Sequence, residues 1–142
     1  MNYLLDTCVL SEFGKPRPDA GVMDWIKKQN PQSLFVSEVT VAELVAGEVK
    51  LRAKDADRAD KLSTWIDAMT MRFADNTLGV DTAVWAIWSQ LSGTADAQGK
   101  SIAPLDALLM ATAQRHGLTV VTRNVADFGA YPQVLNPWSV AG

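Results

Sequence analysis

The chain has 142 residues, of which 48% are hydrophobic and 20% charged, and this composition fits one globular domain spanning 1–142. Its net charge of −3 argues weakly against a nucleic-acid partner without excluding one, because phosphate binding usually needs a basic surplus. The single cysteine excludes an internal disulfide, and we find neither a signal peptide nor a membrane-spanning run. We therefore expect a cytoplasmic protein with no membrane association.

Short apolar runs alternate with helical patterns along the chain. In chain order they predict a strand at 2–6, a short helix at Cys8–Phe13, a loop at 15–21, a helix capped by Asp19, a strand at 33–37, and helices at 39–53 and 56–74. The remainder predicts a strand at 77–80, a helix capped by Asp81 that gives way at 92–99, a helix from Pro104 to His116, a strand at 118–122, a helical turn at Asn124–Phe128, and a strand at 133–136.

This alternation predicts an α/β fold with three layers. Strands that are apolar throughout suit a parallel sheet buried on both faces by helices. In such a sheet the carboxyl ends of the strands lie at one edge, which is where ligands of open α/β sheets bind.

Four acidic residues fall at this edge. Asp6 ends the first strand, and Glu43 lies one to two turns into the helix after the second strand. Asp106 lies in the first turn of the helix that precedes strand 118–122, and Asp127 follows that strand by five residues. We therefore expect these four carboxylates to lie near one another.

Each acid also has a purely structural interpretation. Asp6 is placed to cap the next helix, and Asp106 to interact favourably with a helix dipole. Asn124 and Asp127 have the spacing of a capping box. Glu43 is harder to explain in this way, because its neighbours Ala46 and Gly47 predict a small, apolar, unsolvated surrounding in which a lone carboxylate is costly.

Clustering of the acids favours a metal site. Neighbouring carboxylates repel each other unless a cation intervenes, and Mg²⁺ or Mn²⁺ is the natural cation for an all-oxygen site. Such an ion can orient a water for attack on a phosphodiester and stabilise the departing oxygen. The pattern therefore indicates metal-dependent phosphodiester hydrolysis.

Several stretches resemble PIN-domain proteins, in particular the VapC/FitB-type ribonuclease toxins of bacterial type II toxin–antitoxin pairs. The stretches that carry the resemblance are "YLLDTCVLSE", "VSEVTVAELVAGE", "IAPLDALLMATAQRHGLTVVTRNVADF" and "VLNPW". The resemblance implies a parallel sheet of four to five strands in the order 3-2-1-4-5, a homodimer, and a small antitoxin that blocks the cleft. It also implies that RNA is cut by an activated water.

The same resemblance implies that Asp6, Glu43, Asp106 and Asp127 are catalytic residues that hold Mg²⁺ or Mn²⁺, with Asp6 and Asp106 the most consistent ligands. Beside them, four residues are candidates for supporting the site or binding substrate: Thr7, Thr122, Arg123 and Asn124. Arg123 adjoins the predicted site at a strand end and is a candidate for phosphate contact.

One position departs from the family pattern. The family usually has Asn directly after Asp-Thr, whereas this chain has Cys8. An amide can hold the neighbouring loop by several hydrogen bonds, but a thiol is only a weak donor and acceptor. We therefore expect looser geometry at Asp6 and an inert, buried thiol at Cys8.

Two alternatives stay open. A phosphoryl-transfer domain of the receiver or haloacid-dehalogenase type also begins with Asp at a strand end, but it needs a second acid two residues on or a lysine near a late strand end. Cys8 and Arg123 occupy those places. The second alternative is a PIN-like domain that only binds a partner, which predicts no metal affinity.

Overall fold

The computed structural model of the protein describes residues 1–138, so the last four residues of the predicted 1–142 domain lie outside the described part. Five parallel strands form one sheet in the order β3-β2-β1-β4-β5, which confirms the predicted α/β fold and its 3-2-1-4-5 order. The strands are β1 (Tyr3–Leu5), β2 (Leu34–Ser37), β3 (Thr77–Leu78), β4 (Thr119–Val121) and β5 (Val134–Leu135).

Helices connect the strands. They are α1 (Thr7–Glu12), α2 (Ala20–Lys28), α3 (Glu38–Arg52), α4 (Ala56–Arg72), α5 (Thr82–Ala97) and α6 (Pro104–His116), with short 3-10 turns at Pro31–Ser33, Ala74–Asn76 and Val125–Phe128. Within residues 1–138, no helix is long and apolar enough to cross a membrane.

The end of α5 differs from the prediction. Residues 92–97 continue the helix, although the glycine, serine and alanine residues of 92–99 predicted that it gives way there. Ala95 is buried within this segment, and packing of this kind overrides weak helix propensity. The helix ends at Ala97 and is capped by Gln98, and the next residue, Gly99, has a φ of +69°, the left-handed conformation that glycine adopts just after helix ends.

Adjacent residues of the central strands face opposite layers. Leu4 and Val120 belong to one apolar core, which includes residues of α5 and α6. Leu5 and Val121 belong to a second core on the other face, which includes residues of α1 and α2. Because side chains alternate across a strand, two consecutive buried residues require both faces of the sheet to be covered. This arrangement produces the predicted three layers.

Candidate active site

Asp6 is held at the carboxyl end of β1 by backbone and side-chain bonds. Its N–H donates to the Val121 carbonyl at 3.0 Å, while its carboxylate accepts from the Thr7 N–H and the Thr122 hydroxyl, each at 2.8 Å. The interpretation of Asp6 as the cap of α1 is therefore correct. The side chain is only partly buried, so capping does not remove it from solvent.

Thr122 links two strand ends. It directly follows β4, whose Val121 pairs with Leu5 of β1, and its side chain is fully buried. The Thr122 hydroxyl oxygen also accepts the Asn124 N–H at 3.0 Å. Thr122 thus orients Asp6 and the start of the loop that carries Asp127.

The Cys8 thiol lies against the same carboxylate. Its sulfur is 3.7 Å from Asp6 Oδ2 and 3.6 Å from Thr122 Oγ1, and it accepts the Arg123 N–H at 3.5 Å. Burial is the main cause that raises the pKa of the Cys8 thiol, which keeps it protonated at neutral pH. The side chain is half-buried rather than fully buried. Cys8 therefore contacts Asp6, Thr122 and the Arg123 N–H only through weak hydrogen bonds of its sulfur.

Glu43 lies on α3 in surroundings that differ from the expectation. Glu43, Ala46 and Gly47 are all exposed, so the predicted unsolvated surrounding is wrong. The pKa of Glu43 is nevertheless raised, first by partial loss of hydration and then by the charges of Asp6 and Asp106. Glu43 therefore lies close enough to both aspartates to be repelled by them.

Asp106 and Asp127 come from α6 and from the Val125–Phe128 turn. Partial burial raises the pKa of Asp106, and the charges of Asp6 and Asp127 raise it further. The capping-box interpretation of Asn124 and Asp127 is not supported, because the Asn124 side chain makes no capping hydrogen bond. Asp127 is exposed.

The charges of neighbouring acids thus act on two of the four carboxyl groups. Asp6 and Asp106 raise the pKa of Glu43, and Asp6 and Asp127 raise the pKa of Asp106. The ion pairs within residues 1–138 involve other acids, namely Glu12, Glu48 and Asp60. The four acids therefore have no basic side chain of the described chain to neutralise them.

The donor set suits a hard, hydrated cation. Within the described residues, no three acidic, histidine or cysteine side chains are close enough together to form a compact metal cage. Mg²⁺ does not need one, because it keeps several waters and is usually bound through one or two carboxylates. Asp6 and Asp106 are the candidate ligands for such an ion, and Glu43 and Asp127 are candidates for contacts to the ion or its waters.

The three other candidate residues are placed differently. The Thr7 hydroxyl is buried without a hydrogen-bond partner, next to Asp6. The guanidinium of Arg123 lies 5.7 Å from the centre of the Trp138 ring, so the side chain packs on an aromatic face. Asn124 is exposed and contributes its backbone N–H to Thr122.

A large cavity adjoins two of the acids and was missed in the sequence. It measures about 960 Å³, and its wall includes Asp106, Asp127, Gln98, Lys100 and Ser101. The available signal was the polar segment 98–101, which stands between two helices and shortly before Asp106.

Comparison with known proteins agrees with this geometry. The profile of the PIN domain matches residues 3–131. The chain is 36% identical to Toxin FitB of Neisseria gonorrhoeae over 95% of this chain and 97% of that protein. It is 33% identical to VapC ribonuclease Y4jK of Sinorhizobium fredii over 97% and 99%. The structure of FitAcB from Neisseria gonorrhoeae superposes with a TM-score of 0.85 at 35% identity, covering 97% of this chain and 99% of that one.

Proposed function

This chain is a member of the PIN-domain family, and we propose that it is a metal-dependent endoribonuclease, the toxin of a type II toxin–antitoxin pair. The observation that carries the proposal is that four acids, Asp6, Glu43, Asp106 and Asp127, come from elements that meet at the carboxyl edge of the parallel sheet. Partial burial and the charges of neighbouring acids raise the pKa of Glu43 and of Asp106, and none of the four has an ion pair with a basic side chain of residues 1–138. A bound cation would remove this repulsion.

The roles of the chain's own residues follow from their contacts. Mg²⁺ or Mn²⁺, when bound, would supply an activated water and stabilise the departing oxygen of an RNA phosphodiester. Asp6 and Asp106 would bind the ion directly, while Thr122 and the Thr7 N–H keep the Asp6 carboxylate in one orientation.

The experiment is a cleavage assay on single-stranded RNA. The purified protein should cut RNA with Mg²⁺ or Mn²⁺ and stop when EDTA is in excess. Asp6→Asn and Asp106→Asn should each lose most activity while keeping the circular-dichroism spectrum. Asp67→Asn, on the exposed face of α4, is the matched control and should retain activity. Full activity of either site variant, or of the wild type in EDTA, would contradict the proposal.

The partners follow from the relatives. Because FitB is named a toxin, we propose that this chain pairs with an antitoxin protein in the cytoplasm and forms a homodimer. Trp85 on α5 is 47% exposed, and its ring meets that of Trp88 edge-on at 5.7 Å, so an aromatic surface is available for self-association. Light scattering at micromolar concentration should give the dimer mass, and a monomer at all concentrations would exclude it.

A second candidate function is a PIN domain that binds a partner without catalysis. Titration calorimetry distinguishes the nuclease from the binding domain. The nuclease should bind Mg²⁺ or Mn²⁺ with measurable heat, and Asp106→Asn should abolish this heat. The receiver or haloacid-dehalogenase alternative finds no support in the comparisons, since the PIN-domain family matches residues 3–131 of this chain.

A further inference from the structure

The cavity beside the acids is built from three parts of the chain. Residues of α5, of the loop that follows it together with the first and last turns of α6, and of the segment 126–130 form its walls. Its volume of about 960 Å³ lies at the upper end of the range for ligand pockets. Because Asp106 and Asp127 line part of the wall, a molecule bound at that part of the cavity lies beside the proposed site of cleavage.

The chemistry of the walls is mixed in a way that suits a nucleoside. Ile87, Leu91 and Ile102 provide apolar surface. Against it stand the amides of Gln90, Gln98 and Gln114, none of which is hydrogen-bonded within the described residues. An amide both donates and accepts, which is what the edge of an unpaired base requires.

Lys100 is the one cationic residue among those that line the cavity within residues 1–138. The two lining acids would repel a phosphate placed next to them unless metal were bound, whereas Lys100 would attract it. Charge therefore favours a phosphate at the Lys100 side and a base at the amides.

The loop that carries Gln98 and Lys100 is held in a defined shape. The Lys100 N–H donates to the Ala95 carbonyl at 2.8 Å and the Gly99 N–H to the Asp96 carbonyl at 3.0 Å, the paired bonds of a Schellman turn. Nearby, the Trp88 indole N–H donates to the Pro104 carbonyl at 3.3 Å and ties α5 to the start of α6. Because the backbone of this loop is already ordered, ligand binding there costs little conformational entropy.

We propose that this cavity binds the nucleotide of single-stranded RNA next to the cleaved phosphate and sets where the RNA is cut. Gln98 and Gln114 contact the base, and Lys100 contacts a phosphate. The inference rests on the proposed ribonuclease function and names the residues that select its substrate.

The test uses the full chain on a pool of RNA of random sequence, with the cleavage positions read by sequencing. Gln98→Ala and Gln114→Ala, singly and together, should flatten the base preference beside the cut by about fivefold or more, the usual effect of losing a base contact. Lys100→Ala should weaken cleavage evenly across sequences, because a phosphate contact carries no sequence information. It should also raise KM and make KM less dependent on salt concentration, because a positive charge that contacts phosphate is lost.

Gln32→Ala and Lys54→Ala are matched controls away from the cavity and should leave both profile and KM unchanged. If wild-type protein cuts RNA but the cavity variants keep its sequence profile and KM, the inference is overturned while the ribonuclease function stands. If the variants change only the mass measured by light scattering, the cavity is a protein contact and the inference is again overturned. If wild-type protein cuts no RNA, the proposed function itself fails.

Discussion

The hydroxyl of Thr122 donates a hydrogen bond of 2.8 Å to Asp6 Oδ2 and thereby ties the end of β4 to the end of β1. The same oxygen accepts the Asn124 N–H, so its hydrogen is free to point at the carboxylate. Thr122 is fully buried, and its position is set by the pairing of β4 with β1. The sheet thus orients Asp6 through a side chain that lies 116 residues away.

Replacing Thr122 tests this relationship. Thr122→Val keeps the shape of the side chain but removes the bond to Asp6 and leaves the Asn124 N–H without its acceptor. A hydrogen bond to a charged group contributes about 1.5–3 kcal/mol, so we expect metal affinity to fall by about tenfold or more. Calorimetry with Mn²⁺ measures the effect.

Thr122→Ser is the matched control for the same site. It retains the hydroxyl and should recover most of the metal affinity while losing only a methyl group from the core. If Val and Ser variants bind metal equally, the hydroxyl does not position Asp6.

The sheet and the position of the four acids at its carboxyl edge could be predicted, because both follow from the local pattern of apolar and polar residues. Strands that are apolar throughout predict a buried parallel sheet, and the carboxyl ends of parallel strands lie at one edge. The surroundings of each acid depend on neighbours far along the chain, and here prediction failed at Glu43. Its sequence neighbours are small and apolar, but Ala46 and Gly47 are exposed, so local composition gave the wrong degree of solvation.

The cavity and the buried Glu12 could not be predicted for the same reason, because both depend on residues that are distant along the chain. Glu12 lies in a stretch that the sequence predicts as a short helix, yet the residue is only 2% exposed. It accepts the Asp19 N–H at 2.8 Å and pairs with Lys15. Neither contact follows from hydrophobic periodicity, because both depend on how the 15–21 loop folds back.

Asp106 provides a prediction about stability in the absence of metal. Partial burial and the charges of Asp6 and Asp127 raise the pKa of Asp106, so ionising it destabilises the fold. This cost is fully present above the folded-state pKa and disappears as the pH falls below it. In EDTA at pH 7.5, Asp106→Asn should therefore melt at a higher temperature than wild type, by about 2–4 °C for each kcal/mol of repulsion removed.

The same experiment repeated with Mg²⁺ should reverse the order. Wild-type protein should gain stability from the ion, whereas Asp106→Asn should gain little. Lowering the pH through the folded-state pKa of Asp106 in EDTA should stabilise wild type more than the variant. A lower melting temperature of Asp106→Asn in EDTA would show that the Asp106 charge is already compensated in the fold.

Glu12 gives a pH dependence of the opposite sign. Burial acts to raise the pKa of Glu12, but the bonds to Lys15 and to the Asp19 N–H outweigh burial and hold the pKa below its usual range. The stability from its charge is present above the unfolded-state pKa of about 4.3 and is lost as the pH falls through the lower folded-state value. Glu12→Gln should therefore destabilise the protein at pH 7 by about 1–3 kcal/mol, and by much less near pH 3.

Urea unfolding at the two pH values measures this difference. Asp60→Asn is the matched control, because Asp60 also pairs with a basic residue, Arg52, but its side chain is 68% exposed. Exposed pairs contribute little, so this variant should change stability only slightly at either pH. An equal loss for Glu12→Gln at pH 7 and pH 3 would show that packing rather than charge stabilises this position.

Cys8 tests whether the departure from the family pattern loosens the site. Its sulfur makes three weak contacts, to Asp6 Oδ2, to Thr122 Oγ1 and from the Arg123 N–H, at 3.5–3.7 Å. An asparagine amide would donate to the carboxylate and accept from the N–H with stronger bonds. Cys8→Asn should therefore tighten metal binding or raise the cleavage rate by about tenfold.

Packing acts against this gain, and the same variant separates the two effects. Asn is larger and more polar than Cys, and the half-buried pocket at this position accommodates a thiol. An amide left unsatisfied there would cost about 1–3 kcal/mol of stability. Tighter metal binding with an unchanged melting temperature would show that sulfur loosens Asp6. Unchanged metal affinity with a lower melting temperature would show that Cys8 only fills space, and Cys8→Ala should then lower the melting temperature without changing metal affinity.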